Sequence, residues 1–139
     1  MKEEARILKA IGAICGWYTA LNRGYNNINE MMYKRQKLSG YTYAATEVLD
    51  KVIGYEKESQ YEYERKKDGI RAAYLDRGVT KAEALAKAKT SAEKQEAIQW
   101  KSAVTSIRDK IQQANKVSES MSQHIAILRK EMESCKKNT

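Results

Sequence analysis

Apolar or small residues recur at alternating three- and four-residue steps from Ala97 to Cys135. The series is Ala97, Trp100, Val104, Ile107, Ile111, Ala114, Ser118, Met121, Ile125, Leu128, Met132 and Cys135, with Ser118 its one polar member. A heptad seam held this long, with no Gly or Pro after Gly78, predicts a long helix packed side-on against other helices. Helical from Ser91 to Cys135, that element would be about 68 Å long at ~1.5 Å per residue. Ala103 and Val117 flank the seam, while Ile98 and Ile127 lie off it. The stripe is therefore wide enough to meet more than one neighbour. Trp100, Val104, Ile107, Ile111, Ala114, Met121, Ile125, Leu128 and Met132 are the expected core or subunit-contact positions. An oligomer is expected, because one chain's helices look too few to cover so long a seam.

Upstream, the pattern predicts a helix over about 3–23 that stops at Gly24. Asn26-Asn27-Ile28-Asn29 offers N-caps for a short helix over about 27–38, which Ser39-Gly40 should end. A third helix is expected from about Tyr41 to Arg77, with Ala45, Val48, Leu49, Val52 and Ile53 on one face. Between Glu56 and Gly69 the only apolar or aromatic side chains are Tyr61 and Tyr63, amid dense charge. That half should project from the core or lie along a ligand. Gly78 closes the helix. Thr80-Lys81-Ala82-Glu83 and Thr90-Ser91-Ala92-Glu93 then read as two capping boxes bounding a short helix over about 81–89. The expected organisation is an N-terminal helical region, 1–40, followed by a long helical hairpin, 41–139, with the short helix at its corner. The fold class is all-α, a long-helix hairpin or coiled-coil-like bundle.

Composition agrees with that class. The 139 residues contain no Pro and only seven Gly, which favours helix almost throughout. Phe is absent while Tyr occurs nine times, so much of the aromatic content carries a hydroxyl. Cys15 and Cys135 have neither metal-type nor CxxC spacing, and two thiols make no disulfide framework. A reducing, cytoplasmic setting is the default. From Ala10 to Asn22 run 13 uncharged residues, too few for a membrane helix of about 20. The Gly12/Gly16 pair there suits close approach of a neighbouring helix, so a buried core or subunit-contact helix and no membrane partner are expected, with an amphipathic membrane anchor as the minor alternative.

The chain has a formal charge of +8, from 26 Lys and Arg against 18 Asp and Glu. Residues 1–40 hold seven basic and three acidic side chains, 41–78 seven and eight, and 79–139 twelve and seven. The excess favours phosphates or acidic surfaces as partners, although a solvated basic helix surface would show the same count. No segment is a basic tail, so a binding surface has to be assembled by the fold. No phosphate loop, HExxH or nucleophile elbow occurs. His124 has no ligand-spaced partner. Glu56, Glu58, Glu62 and Glu64 interleave with Lys57, Arg65, Lys66 and Lys67, which reads as a salt-bridged helix face. No catalytic residue, metal site or cofactor is expected.

Basic residues alternate with aromatics around the corner: Tyr61, Tyr63, Arg65, Lys66, Lys67, Arg71, Tyr74 and Arg77, then Lys81, Lys87 and Lys89. Single-stranded nucleic acid is held by such combinations, cations along the backbone and aromatic faces under the bases. The candidate contacts are Arg65, Lys66, Lys67, Arg71, Tyr74, Arg77, Lys81, Lys87 and Lys89. Arg65, Arg71 and Tyr74 could equally pack the corner through their stems and hydrogen bonds.

Arg71-Ala-Ala-Tyr74 leading to Gly78, then TKAEALAKAKTSAEKQEA, then a Trp100-bearing helix ending in HIAILRKEM, resembles small phage-encoded helical proteins. Among these it is similar to the UvsY-type recombination mediators over about residues 65–135. The resemblance implies an all-α protein forming rings of several subunits in the host cytoplasm. Such a protein binds single-stranded DNA and helps a recombinase replace the single-strand-binding protein. By position, Arg71, Arg77, Lys81, Lys87 and Lys89 would be its DNA contacts. The alternatives are a structural or adaptor coiled coil, of virion or scaffold type, whose charge is incidental, and a small helical inhibitor of another protein machine.

Overall fold

The computed structural model describes residues 2–137, which form helices α1 (Lys2–Thr19), α2 (Ile28–Ala73), α3 (Val79–Lys89) and α4 (Ser91–Lys137). A 3-10 turn, Leu75–Arg77, joins α2 to α3, and the described residues contain no strand. The protein is all-α. Compact packing divides the chain into a terminal unit, residues 1–48 with 107–139, and a corner unit, residues 49–106.

The terminal unit is built from α1, the first part of α2 and the last part of α4. Ile7, Ile11, Ile14 and Cys15 place one stripe of α1 on Met31, Leu38 and Ala45 of α2 and on Ala114, Met121 and Ile125 of α4. Glu3 and Glu4 occupy the first turn of α1, where the helix dipole favours negative charge. The helix ends at Thr19, short of the expected Arg23, with the Thr19 hydroxyl donating to the Cys15 carbonyl at 2.8 Å. The early end lets the connection fold inward. Leu21 and Tyr25 pack on the core, and the Tyr25 ring meets Trp17 edge-on at 5.7 Å. The Gly12/Gly16 pair does not bring two backbones together. A Cβ at Gly12 would meet only the flexible Lys110 Nζ, at 3.3 Å, and one at Gly16 would meet nothing within 4 Å.

Asn27 caps α2 as the Asn-rich stretch suggests, its Oδ1 accepting from the Glu30 amide at 3.1 Å. The break expected at Ser39-Gly40 does not occur. Met31, Leu38, Ala45 and Val52, seven residues apart, are all buried, so one stripe runs straight through Gly40. Glycine in a helix interior costs about 1 kcal/mol relative to Ala. Burying Leu38 and Ala45 on either side outweighs that, since a fully buried aliphatic side chain contributes about 1.5–3 kcal/mol.

The corner unit has a thinner core of Val52, Ala82, Ala86, Thr90, Ala97 and Val104. Ala82 and Ala86 turn one face of α3 into it, and Tyr55 lies against Trp100 with ring centroids 5.0 Å apart. Residues 56–69 contribute nothing fully buried, as their composition predicts. Gly78 has φ 101° and ψ 147°, a region that L side chains rarely enter, and it both closes the 3-10 turn and caps α3. Because α3 begins at Val79, Thr80 lies inside the first turn and the first capping box does not form. In the second, the Thr90 hydroxyl donates back to the Ala86 carbonyl at 2.6 Å, and the Glu93 carboxylate instead pairs with Lys66.

The α4 seam is covered within this one chain as far as Leu128. Ala97, Val104, Ile107, Ala114, Met121, Ile125 and Leu128 are buried, while Trp100, Ile111 and Ser118 are half-buried. Beyond Leu128 the core ends, and Met132 and Cys135 are exposed. Ile98 and Ile127 face solvent rather than a further helix.

Candidate nucleic-acid interface

All nine candidate contact residues fall in the corner unit, carried by the end of α2, the 3-10 turn and α3. Several are neutralised where they stand. Arg65 pairs with Glu62 at 3.1 Å and Arg71 with Asp68 at 3.5 Å, each one helical turn apart. Lys66 reaches across to Glu93 of α4. That ammonium, hydrogen-bonded to the carboxylate, is the main cause holding the Glu93 carboxyl below its ordinary value.

Tyr74 is the centre of a different cluster. The Lys89 ammonium lies 4.8 Å from its ring centroid and the Arg77 guanidinium 5.0 Å. Lys89 also donates to the Tyr74 hydroxyl oxygen at 3.0 Å, which lowers the phenol's pKa from its ordinary value. Two cations thus share one ring. Tyr74 is half-buried, so with two cations beside its ring it offers less open stacking face than an exposed tyrosine. The open ring is that of Tyr61, 64% exposed. Tyr63 is half-buried with the Lys67 ammonium 5.6 Å from its centroid.

Lys67, Arg71 and Lys87 meet around a hollow of about 370 Å³, also lined by Tyr63, Glu83, Ala86 and Lys94. Three helices contribute: α2 through Tyr63, Lys67 and Arg71, α3 through Glu83, Ala86 and Lys87, and α4 through Lys94. Four cations and one carboxylate line it, and one of the four, Arg71, is also paired with Asp68 outside the lining. Lys94 is the member missed in the sequence, where the basic run stops at Lys89. It lies seven residues after Lys87, but the chain turns at Thr90 between them, so helix periodicity does not connect the two. Lys81 is exposed and lies outside this hollow.

Among the described residues no group of three or more His, Cys, Asp or Glu side chains could hold a metal ion. His124 is half-buried in the terminal unit, edge-on to Tyr18 at 6.1 Å and to Tyr25 at 6.5 Å. No described helix is long and apolar enough to cross a membrane. Comparison with protein-family models, curated proteins and solved structures finds no match to this chain.

Proposed function

We propose that this protein is a non-enzymatic accessory factor that binds single-stranded nucleic acid through the corner unit. The observation that carries the reading is the hollow where Lys67, Arg71, Lys87 and Lys94 converge from three helices against the single carboxylate of Glu83. Cations gathered from separate elements make a phosphate site that no one helix face supplies, and Tyr63 adds an aromatic edge beside it. Arg77 and Lys89 on Tyr74 supply a second pair of positive groups. The finer reading, a recombination mediator that assembles into a homo-oligomer and serves a recombinase in a phage-infected cytoplasm, draws on the sequence resemblance alone.

The test is fluorescence anisotropy with a labelled single-stranded oligonucleotide across a salt series, comparing the protein with a Lys67→Gln, Arg71→Gln, Lys87→Gln, Lys94→Gln variant. Each lost phosphate contact reduces the slope of log K against log salt by about 0.7, so the variant should lose about 2.8 along with most of its affinity. Equal affinity and slope in the two proteins would overturn the reading. One observation favours a structural or adaptor coiled coil instead: Arg65, Lys66 and Arg71 are already paired with Glu62, Glu93 and Asp68. That alternative predicts negligible nucleic-acid binding at physiological salt and a sharp oligomer mass.

A further inference from the structure

A groove of about 860 Å³ lies between α2 and α4 in the terminal unit. Its charged lining consists of Arg35 and Arg129, and no Asp or Glu among the described residues lines it. Arg35 is held along the wall by its Nε, which donates to the Ser118 carbonyl at 3.1 Å. Arg129 places Nη2 3.5 Å from Met32 Sδ, a weak acceptor that leaves the cation's charge uncompensated. Neither guanidinium is ion-paired with a carboxylate among the described residues. Ser122, Asn29 and Gln36 add hydroxyl and amide groups to the lining. Tyr33, also on the lining, is 55% exposed, with the Lys37 ammonium 5.2 Å from its ring centroid.

We infer that this groove is a second nucleic-acid site, in which Arg35 and Arg129 take phosphodiester oxygens of a single strand. The inference takes the ligand's class from the proposed function but stands on different residues in the other unit. Arginine guanidiniums flanked by Ser, Asn, Gln and Tyr side chains are the groups that contact phosphate and sugar. Guanidinium forks suit phosphate oxygens because two N–H groups can donate to one phosphate in parallel. Met32, Ile125 and Ala126 are the aliphatic or thioether side chains in the lining, and Tyr33 is its aromatic. Beside them stand two guanidiniums and the Asn, Gln and Ser groups, a mixture that suits a phosphodiester backbone with a base against Tyr33 better than the continuous apolar face of an amphipathic helix. The charge balance points the same way: Lys and Arg outnumber Asp and Glu by 14 to 8 in the terminal unit and by 12 to 10 in the corner unit.

The experiment uses the full chain and labelled oligo(dT) in a salt series, with three proteins: wild type, Arg35→Gln/Arg129→Gln, and the four-residue corner variant described above. Loss of two contacts should lower the slope for the groove variant by about 1.4. Arg35→Lys/Arg129→Lys should restore most of it, because the charge remains. Ser122→Glu tests the same surface with both arginines intact, and should weaken binding by placing a carboxylate in the lining. Circular dichroism melting of each variant identifies one that has lost its fold. If the groove variant and Ser122→Glu bind as wild type does while the corner variant is weakened, the inference is overturned and the corner reading stands. The groove would then be left to an acidic protein segment. If the groove variants weaken and the corner variant does not, the site is the groove and the corner reading falls. If wild type itself fails to bind near physiological salt, both fall.

Discussion

The two compact units place similar basic residues in opposite surroundings. In the corner unit cations are dense along the chain, but acids sit one helical turn away, as in the Glu62–Arg65 and Asp68–Arg71 pairs. In the terminal unit the basic residues are sparser, yet Arg35 and Arg129 face a groove lined by no carboxylate. A ligand meets the charge left after local pairing. Density of Lys and Arg along a sequence therefore overstates the corner and understates the groove. The cores differ in the same sense. Ile, Leu and Met fill the terminal unit, whereas Ala, Val and one Thr fill the corner, leaving it little apolar mass and much exposed polar side chain.

The largest expected effects separate the cores. Met121 is fully buried, and Met121→Ala should destabilise the terminal unit by about 2–5 kcal/mol through lost burial and the cavity left behind. In the corner, enlargement is the damaging change. Ala86→Leu should cost about 1–3 kcal/mol through overpacking, because Ala86 is fully buried. Thermal and denaturant melts check both, and hydrogen exchange shows which unit opens. An Ala86→Leu protein as stable as wild type would mean that the corner core has room at Ala86. Gly78→Ala belongs to the same tier. A Cβ there meets nothing within 4 Å, so the expected loss of about 1–3 kcal/mol comes from the positive φ alone.

Smaller effects sharpen the electrostatic half of the comparison. Glu93 has its pKa lowered from 4.5, chiefly by the Lys66 hydrogen bond. A carboxyl depressed in the fold contributes stability above its unfolded value and loses that contribution as pH falls through the folded one. Lys66→Met should therefore flatten the acid limb of melting temperature against pH. Tyr25 in the terminal unit has the opposite sign. Desolvation, followed by its hydrogen bond to Glu30 at 2.9 Å, raises its pKa from 10 to about 12. The contribution is complete below pH 10 and lost as pH rises toward about 12. Glu30→Gln should bring the Tyr25 titration down, visible by ultraviolet absorbance. In the corner, Lys89→Met should move Tyr74 up, since its lowered pKa comes first from the Lys89 hydrogen bond.

Much of the fold was legible because it rests on local rules. The heptad seam predicts α4, and Asn27 caps α2 where the Asn-rich stretch suggests, whereas α2 ends at Ala73, short of the expected Arg77, and Gly78 closes the 3-10 turn that follows it. The expectations that failed were those where a distant contact outweighs a local preference. Ser39-Gly40 looks like a break until Leu38 and Ala45 are seen buried on either side of it. Thr90 looks like a cap, yet its buried hydroxyl turns back to Ala86. The same division holds for the candidate sites. Corner residues cluster in the sequence and in space, so their grouping was readable. Lys94 lies across a helix boundary from Lys87, and Arg35 and Arg129 sit on helices far apart in the chain. Only the folded pairing of α2 with α4 brings the two arginines to one groove.

The central claim is that positive charge assembled by the fold serves a single-stranded nucleic acid. The most direct measurement is anisotropy of the wild-type protein with matched single- and double-stranded oligonucleotides from low to physiological salt and above. The account predicts tighter binding of the single strand, with log K falling linearly as log salt rises. Absence of binding to either strand form near physiological salt would contradict it and leave a helical assembly protein whose basic charge is incidental.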